Sequence, residues 1–224
     1  PRMPLEVPTS NTGAAIMAKV TGPLFSMSAS GTLAKTIVFS GWKGRPYVRK
    51  HVKPKNPKSN SQVGVRSMFS FLAQEWAGIA AADQATWEDR AAQTIISPFN
   101  AFMAFNQSRW RDFNTPSMAD PPTEVGTPPT GPTGTATPDG RAMILEITDG
   151  VTPPDWGYAI FRSLTGVFTL AWSNCIAVVK WDVSGVTTYV DSPLEPDTYY
   201  YNAIGFLETG VEGADGTEFD GTIT

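Results

Sequence analysis

The sequence of 224 residues contains one cysteine, Cys175, and one histidine, His51. A single cysteine excludes an internal disulfide framework and a cysteine-based metal cluster, and a single histidine excludes metal sites that need two imidazoles. No segment approaches the roughly 20 apolar residues of a membrane-spanning helix, and the first residues lack the charged and apolar regions of a secretory signal. We therefore expect no metal, no cofactor and no membrane partner, and synthesis in a reducing compartment.

Motifs for catalysis are also scarce. The sequence has no phosphate-cradling glycine pattern, zinc-protease motif or calcium loop. His51 lies in a basic strand-like segment and Cys175 in an apolar one, so we interpret them as a sheet-surface residue and a buried structural thiol. Asp215, Glu218 and Asp220 could bind a cation weakly, but we interpret them as a solvated acidic edge. The sequence thus predicts no catalytic residue and no enzyme.

The charges that are present are divided between the two ends of the chain. Residues 1–60 carry ten Lys/Arg and one acidic residue, whereas residues 115–224 carry three basic and fifteen acidic residues. This split predicts one end that contacts an acidic surface and another that remains soluble. The candidate partner-binding residues lie in the densest basic stretch: Trp42, Lys43, Arg45, Tyr47, Arg49, Lys50, Lys53, Lys55 and Lys58.

The first half of the chain has the pattern of an α+β module over residues 14–114, preceded by an extended arm at 1–13. Short apolar runs broken by glycine predict a small antiparallel sheet, whose strongest hairpin pairs residues 32–42 with 45–53. Alternation puts Val48 and Val52 on one face and most anion-binding side chains near the other. The prolines in residues 53–60 exclude a helix there and predict an extended basic connector.

Three helices are predicted after this connector. Apolar residues recur at helical spacing over about 61–79, where Ser59 or Asn60 could act as the N-cap. A second helix extends to about 94, with Asp83 at its cap or in its first turn. Ser97 and Pro98 supply an N-cap and a first-turn proline for a third helix that ends near 113.

The rest of the chain predicts a linker and a β-sandwich. Residues 115–134 are rich in proline, threonine and glycine, which favours a semi-rigid spacer between modules. Residues 135–224 contain short runs of β-branched and aromatic residues separated by turn residues, the pattern of an all-β sandwich.

This C-terminal part resembles a fibronectin type III domain, an immunoglobulin-like fold. The resemblance is carried by the segment Leu194-Glu195-Pro196-Asp197-Thr198-Tyr199-Tyr200-Tyr201. It implies structural roles for Leu194 and Pro196 and makes Tyr200 the corner tyrosine, with Tyr199 or Tyr201 as alternatives if the register is shifted by one. Trp156 or Trp172 would then be the core tryptophan.

Residues 24–113 are similar to a module of tailed-phage and prophage structural proteins. The matching segments are residues 30–39, 42–49 and 54–58, together with Trp76, Trp87 and residues 97–102. The resemblance implies a virion protein made in the host cytoplasm and held in the particle by other virion proteins, such as the major capsid or tail proteins, as a homo-oligomer. Capsid decoration or cement is the expected role, with tail or neck as the alternative.

Two other functions are open from the residues. The basic stretch with Trp42 and Tyr47 would suit phosphate contacts and base stacking in a nucleic-acid-binding protein, although docking to an acidic protein is favoured. A carbohydrate-binding adhesin is the other alternative, in which aromatic loops around Trp156 and Trp172 bind a host glycan.

Overall fold

A computed structural model describes residues 18–19, 31–33, 36–43, 45–52 and 59–224. Two compact units are present, residues 1–57 and residues 58–224, which we call the hairpin unit and the helix–sandwich unit. The hairpin unit contains an antiparallel sheet in the order β1-β4-β3-β2, which confirms the small sheet expected from the sequence. Its strands are β1 (Ala18–Lys19), β2 (Gly31–Leu33), β3 (Ile37–Trp42) and β4 (Arg45–Lys50).

The three expected helices are α1 (Asn60–Glu75), α2 (Ala81–Thr94) and α3 (Pro98–Arg111). A short 3-10 turn, Trp76–Gly78, follows α1 and accounts for the longer helix expected there. The Ser97 hydroxyl accepts a hydrogen bond from the Asn100 backbone at 3.2 Å, which confirms the predicted cap of α3. Ser59 is the N-cap of α1 but forms no capping side-chain hydrogen bond. None of these helices is long and apolar enough to cross a membrane.

Eight strands form a two-sheet sandwich. Three pair in the order β5-β6-β9, and the other sheet has the order β11-β10-β7-β8 with β12 also paired to β10. The sequence predicted β6, β7, β8, β9 and β10 but missed β5, β11 and β12. The strands are β5 (Thr133–Asp139), β6 (Ala142–Thr148), β7 (Gly157–Ser163), β8 (Cys175–Lys180), β9 (Val186–Asp191), β10 (Asp197–Phe206), β11 (Glu212–Asp215) and β12 (Phe219–Ile223).

Strands β7, β8 and β10 of the five-stranded sheet carry buried residues on both faces. Along β7, Tyr158 and Ile160 enter the core between the two sheets, whereas Ala159 and Phe161 enter a second core beneath the helices. Because both faces are covered, successive side chains of this strand are apolar instead of alternating with polar ones. The helix–sandwich unit therefore has three layers, with the helices on one side of the five-stranded sheet and the three-stranded sheet on the other.

Helix α1 lies against strand β8 at the edge of that sheet. A Cβ at Gly64 would stand 2.6 Å from the carbonyl oxygen of Cys175, so only glycine permits this approach. The hydroxyl of Ser67 accepts a hydrogen bond from the Val178 backbone at 2.7 Å and lies 3.3 Å from the Val178 carbonyl oxygen, to which it donates. The Ser67 side chain thus forms hydrogen bonds with backbone groups of β8 that would otherwise be unpaired, because β8 is an edge strand.

Residues 115–132, which we call the strap, were expected to form a semi-rigid spacer but pack against the helices instead. Thr115, Pro116 and Ser117 are buried. The buried amide of Asn106 donates to the Ser117 carbonyl at 3.0 Å and accepts from the Ser117 backbone at 2.8 Å. The indole of Trp87 donates to the Met118 carbonyl at 2.8 Å. The strap is therefore packed onto the helices.

The strap also pairs with the sandwich. The backbone of Met118 donates to Glu208, Ala214 donates to Pro129, and Thr217 donates to Pro132, each at 2.9 Å. The boundary between compact units consequently lies at residue 57 and not at the expected residue 114. The expected grouping of the helices with the small sheet is corrected, since their buried side chains pack on the sandwich. Proline-rich composition is common to spacers and to buried straps, so composition alone could not separate them.

Candidate docking surface

The basic hairpin is built from β3 and β4. Trp42 pairs with Arg45, so residues 43 and 44 alone connect the strands. Lys43 has φ of 48°, within the left-handed region that two-residue hairpin turns require. This tight turn brings the cationic residues around it onto one short, well-defined end of the sheet.

Register divides the side chains of the hairpin between two faces. The directly paired residues Trp42 and Arg45, Ser40 and Tyr47, and Val38 and Arg49 share one face, which we call the basic face. The opposite face carries Phe39 with Val48 and Ile37 with Lys50. The alternation predicted from the sequence is confirmed, but Lys50 lies on the face opposite Arg45 and Arg49.

Exposure is greatest at the turn. The Trp42 side chain is 66% exposed, which is high for an indole. The ammonium of Lys43 lies 4.7 Å from the centre of the Trp42 ring, within the range of a cation–π interaction. Arg45 and Arg49 are exposed and Tyr47 is half-buried. The basic face therefore presents an indole and the Arg45 guanidinium at the turn, and the Arg49 guanidinium further along the same face.

The structure describes six of the nine predicted partner-binding residues. Lys53, Lys55 and Lys58, like the arm at 1–13, lie outside the residues that the structure describes. His51 is half-buried, and its backbone donates to the Thr36 carbonyl at 2.7 Å, which places it on the sheet as expected. The structure thus brings together Trp42, Lys43, Arg45, Tyr47 and Arg49 of the predicted set.

The corner tyrosine of the sandwich is Tyr199 and not Tyr200. The Tyr199 hydroxyl donates to the Glu195 carbonyl at 3.0 Å, the upstream backbone contact expected of this residue. Tyr200 is half-buried on the neighbouring register position. Leu194 is buried in the core between the sheets, as expected, whereas Pro196 is exposed. The alternative that allowed a register shift of one residue is the one observed.

Polar groups inside the sandwich are paired. Asp191 accepts from the Arg162 guanidinium at 2.7 Å and from the Tyr201 hydroxyl at 3.1 Å. Burial raises the pKa of Tyr201, and the charge of Asp191 raises it further. This ion pair has a hydrogen-bonded partner within the core, as a buried charge requires.

The tryptophans considered for glycan binding are not available for it. Trp156 is 1% exposed and packs beneath the helices, where its indole donates to Glu75 at 3.3 Å. Trp172 is half-buried against the same core. Neither lies in the core between the sheets, so neither occupies the expected core-tryptophan place. An exposed stacking platform is therefore absent at both positions.

Cys175 is a buried thiol, as predicted. Burial raises its pKa to about 12, so the thiolate is not populated at neutral pH. Among the described residues, no group of three or more histidine, cysteine or acidic side chains is placed to hold a metal ion. Glu218 instead accepts the backbone hydrogen of Val167 at 2.8 Å.

A groove that no sequence pattern predicted lies on the helical layer, between Trp76, Glu88 and Phe99. Trp76 directly follows the last residue of α1, and its helical spacing placed it on the core face of the first predicted helix. Periodicity shows which face of a helix a residue lies on, but it does not show how deeply the side chain is buried. A partly exposed aromatic residue at a helix end therefore looks the same in the sequence as a buried one.

Comparisons with known proteins add little to this geometry. No family profile matches the chain, and no curated protein matches it. Among solved structures, it is similar to a β-1,2-glucanase from Parabacteroides distasonis, with 18% identity and a TM-score of 0.35. That match covers 44% of this chain and only 13% of the length of the glucanase.

Two further structures are similar over 42% of this chain. One is an Fn3-like protein from Clostridium thermocellum, with 21% identity, a TM-score of 0.32 and 92% of that chain covered. The other is the interferon gamma receptor alpha chain of chicken, with 15% identity, a TM-score of 0.33 and 50% covered. The fold assignment therefore depends on the observed strand order and on the Tyr199 corner. On these grounds, residues 133–223 form a fibronectin type III-like β-sandwich.

Proposed function

We propose that this protein is a non-enzymatic structural component of a tailed-phage particle, made in the host cytoplasm and docked through its basic face. Its partner is an acidic surface of another virion protein, a major capsid or tail protein, and capsid decoration is favoured over the tail or neck. The observation that carries this role is the clustering of Trp42, Arg45, Tyr47 and Arg49 on one face of a single hairpin. Trp, Tyr and Arg are the residues that most often dominate binding energy at protein interfaces.

Charge supports the same role. An exposed cationic face steers encounter with an acidic partner and fixes its register more than it adds affinity. The Trp42 indole supplies apolar area that guanidinium groups lack, and Lys43 above it keeps a charge at the rim. The helix–sandwich unit, with its acidic surface, is then the part that the particle displays.

Charge reversal on the two faces of the hairpin tests the docking role. The variant Arg45→Glu/Arg49→Glu changes the basic face, and Lys50→Glu is the matched control because Lys50 lies on the opposite face. We expect the double variant to lower the copy number in purified particles at least about tenfold, whereas the control stays within about twofold. Quantitative mass spectrometry of particles measures both.

Three results would refute this function. They are absence of the wild-type protein from particles, release of the protein together with the packaged genome on nuclease treatment, and unchanged copy number in the double variant. Loss of incorporation in Lys50→Glu alone would move the docking surface to the other face of the sheet and refute the basic face as the anchor.

A nucleic-acid-binding role is the second candidate, because Trp42 and Lys43 meet at an exposed turn that suits stacking and phosphate contact. Binding of the full chain to duplex and single-stranded DNA, titrated with salt, tests it. If several phosphates are neutralised, affinity will fall steeply with salt. No binding at low salt would exclude this candidate and leave protein docking.

A further inference from the structure

The groove on the helical layer has a volume of about 340 Å³, within the range of pockets that hold small ligands or short chain segments. Trp76 and Phe99 form two of its walls with ring centres 5.8 Å apart and planes at 66°. The Gln84 side chain donates to the Trp76 carbonyl at 2.8 Å, which holds the end of α1 against α2. The groove thus has fixed aromatic walls.

The groove is lined by an acidic residue that has no partner among the described residues. Glu88 lines the groove, is exposed, and forms no ion pair with any of the described residues. Two residues before the lining residue Ser97, Ile95 is 93% exposed and has φ of 55°. A β-branched residue in this conformation is strained, and an exposed one gains no burial in return.

We propose that this groove binds the Lys-Pro segment, residues 53–58, of a second copy of the chain. The segment reads Lys53-Pro54-Lys55-Asn56-Pro57-Lys58. Proline favours the polyproline II helix, which has three residues per turn; a segment bound in this form would place Pro54 and Pro57 along one edge and Lys55 and Lys58 along another. Aromatic-lined grooves bind such segments by packing the prolines between rings.

Charge complementarity selects this occupant. Glu88 is placed to pair with one lysine while the prolines contact Trp76 and Phe99. A lysine held over the Trp76 ring would gain a cation–π contribution as well. Among the segments of this chain, residues 53–58 alone combine this proline spacing with lysines and no acidic residue.

Chain length excludes the segment of the same copy. Helix α1 has 16 residues and is therefore about 24 Å long, and the groove begins just after its last residue. Pro54 and Pro57 precede Asn60 by six and three residues, which span at most about 22 and 11 Å even in a fully extended chain. Neither proline reaches the groove beside Trp76 from the start of its own α1.

Such a contact is heterologous, since a groove on one copy receives a segment from the next. Repetition closes a ring or continues along a lattice. This arrangement rests on the docking role proposed above and names a second copy as one partner of the basic region. A failure of this contact can be distinguished from a failure of the docking role, because self-association in solution and incorporation into particles are measured separately.

Sedimentation velocity of the full chain over a range of concentrations tests the contact. We expect Glu88→Lys to weaken self-association at least about tenfold. Asp89→Lys is the matched control, with the same change of charge on the next residue of α2, outside the groove. Combining Glu88→Lys with Lys55→Glu/Lys58→Glu restores association if the two sites meet.

A fluorescent peptide of residues 51–60 tests the contact directly, with binding measured by fluorescence anisotropy. The receptor is the full chain with Pro54→Ala/Pro57→Ala, so that its own segment does not compete with the peptide. We expect binding that Glu88→Lys weakens and Asp89→Lys leaves unchanged. No binding up to about 1 mM peptide, or equal effects of both α2 variants, would overturn the assignment. If the peptide binds but the full chain is monomeric at every concentration in sedimentation velocity, a second copy is not the occupant of the groove.

Discussion

The two sheets of the sandwich differ in what covers their outer faces. On the five-stranded sheet, Ala159 and Phe161 of β7 and Val178 of β8 lie beneath the helices. The three-stranded sheet presents Thr135, Glu146 and Thr188, one from each strand and directly paired, to solvent. The same fold thus carries one sheet with two buried faces and one with a single buried face.

The sequences of the strands reflect this difference. The segment AMILEIT of β6 alternates between buried and more exposed positions, whereas five successive residues of β7, from Gly157 to Phe161, are buried. In an antiparallel sandwich, a strand with no polar alternation indicates that another layer covers its second face. That signal, applied to β7 and β8, would have assigned the helices to the sandwich.

Removal of the helices should have the largest effect. A fragment of residues 135–224 exposes Trp156, Phe161 and Phe206, which are at most 1% exposed in the intact unit. We expect this fragment to aggregate or to lack a cooperative thermal transition, whereas residues 58–224 unfold in one sharp step. Circular dichroism and light scattering measure both. A soluble, cooperatively folded fragment 135–224 would show that the helical layer is not needed.

The second prediction compares one substitution on the two sheets. Val178→Lys places a charge beneath the helices, where the valine is 6% exposed, and Val190→Lys places it on a face where the valine is 52% exposed. We expect losses in the free energy of unfolding of about 4 kcal/mol or more for the first and at most about 0.5 kcal/mol for the second. Urea unfolding checks both, and similar losses would contradict the difference between the sheets.

The third prediction concerns the strap. Asn106→Ala removes both hydrogen bonds to Ser117 and leaves two buried backbone groups unpaired, so we expect a loss of about 2–3 kcal/mol in the free energy of unfolding. Asn100→Ala, on the same helix at an exposed position, is the control and should cost less than about 1 kcal/mol. Equal costs would mean that the strap does not hold the layers together.

The smallest expected effect is a pH dependence of the free energy of unfolding, which comes from two buried tyrosines of the five-stranded sheet. Burial raises the pKa of Tyr158 and Tyr201 above the ordinary value of 10.0, and the carboxylates of Asp149 and Asp191 raise them further. The folded state keeps protons that the unfolded chain loses, so this stability is complete below pH 10 and falls as the pH rises further. By about pH 10.5 the loss is roughly 1 kcal/mol for each tyrosine.

Urea unfolding at pH 8 and at about pH 10.5 measures this loss. The variants Tyr158→Phe and Tyr201→Phe should each reduce the dependence on pH, because neither then has a hydroxyl to titrate. Ionisation of all tyrosines near pH 10 in the folded protein, followed by absorbance, would contradict the burial of these two hydroxyls.

Local patterns predicted much of this molecule. The alternation in β4 placed Val48 and Arg49 on opposite faces, and Ser97 with Pro98 fixed the start of α3. Strand β5 was missed because its sequence, TGTATPD, has few bulky apolar residues and includes glycine and proline. Its pairing with β6 stabilises it, and that partner is not part of the local sequence.

The remaining errors have the same cause. Tyr199 and Tyr200 are both aromatic residues in a strand, and only the carbonyl of Glu195 distinguishes the corner position. The unit boundary was placed at 114 because proline and threonine are frequent in the strap, but Asn106 and Trp87 provide it with hydrogen-bond partners from the helices. Tertiary contacts decide both cases, and neither leaves a periodic pattern.

The central claim is that helices, strap and sandwich fold as one unit. It is tested most directly by fluorine NMR of the full chain labelled with 5-fluorotryptophan and titrated with urea. Trp87 reports on the helical core, and Trp181, whose indole donates to Asp149 at 2.8 Å, reports on the core between the sheets. We predict the same unfolding midpoint for both signals. Two separate midpoints, with Trp87 unfolding while Trp181 remains native, would contradict the account.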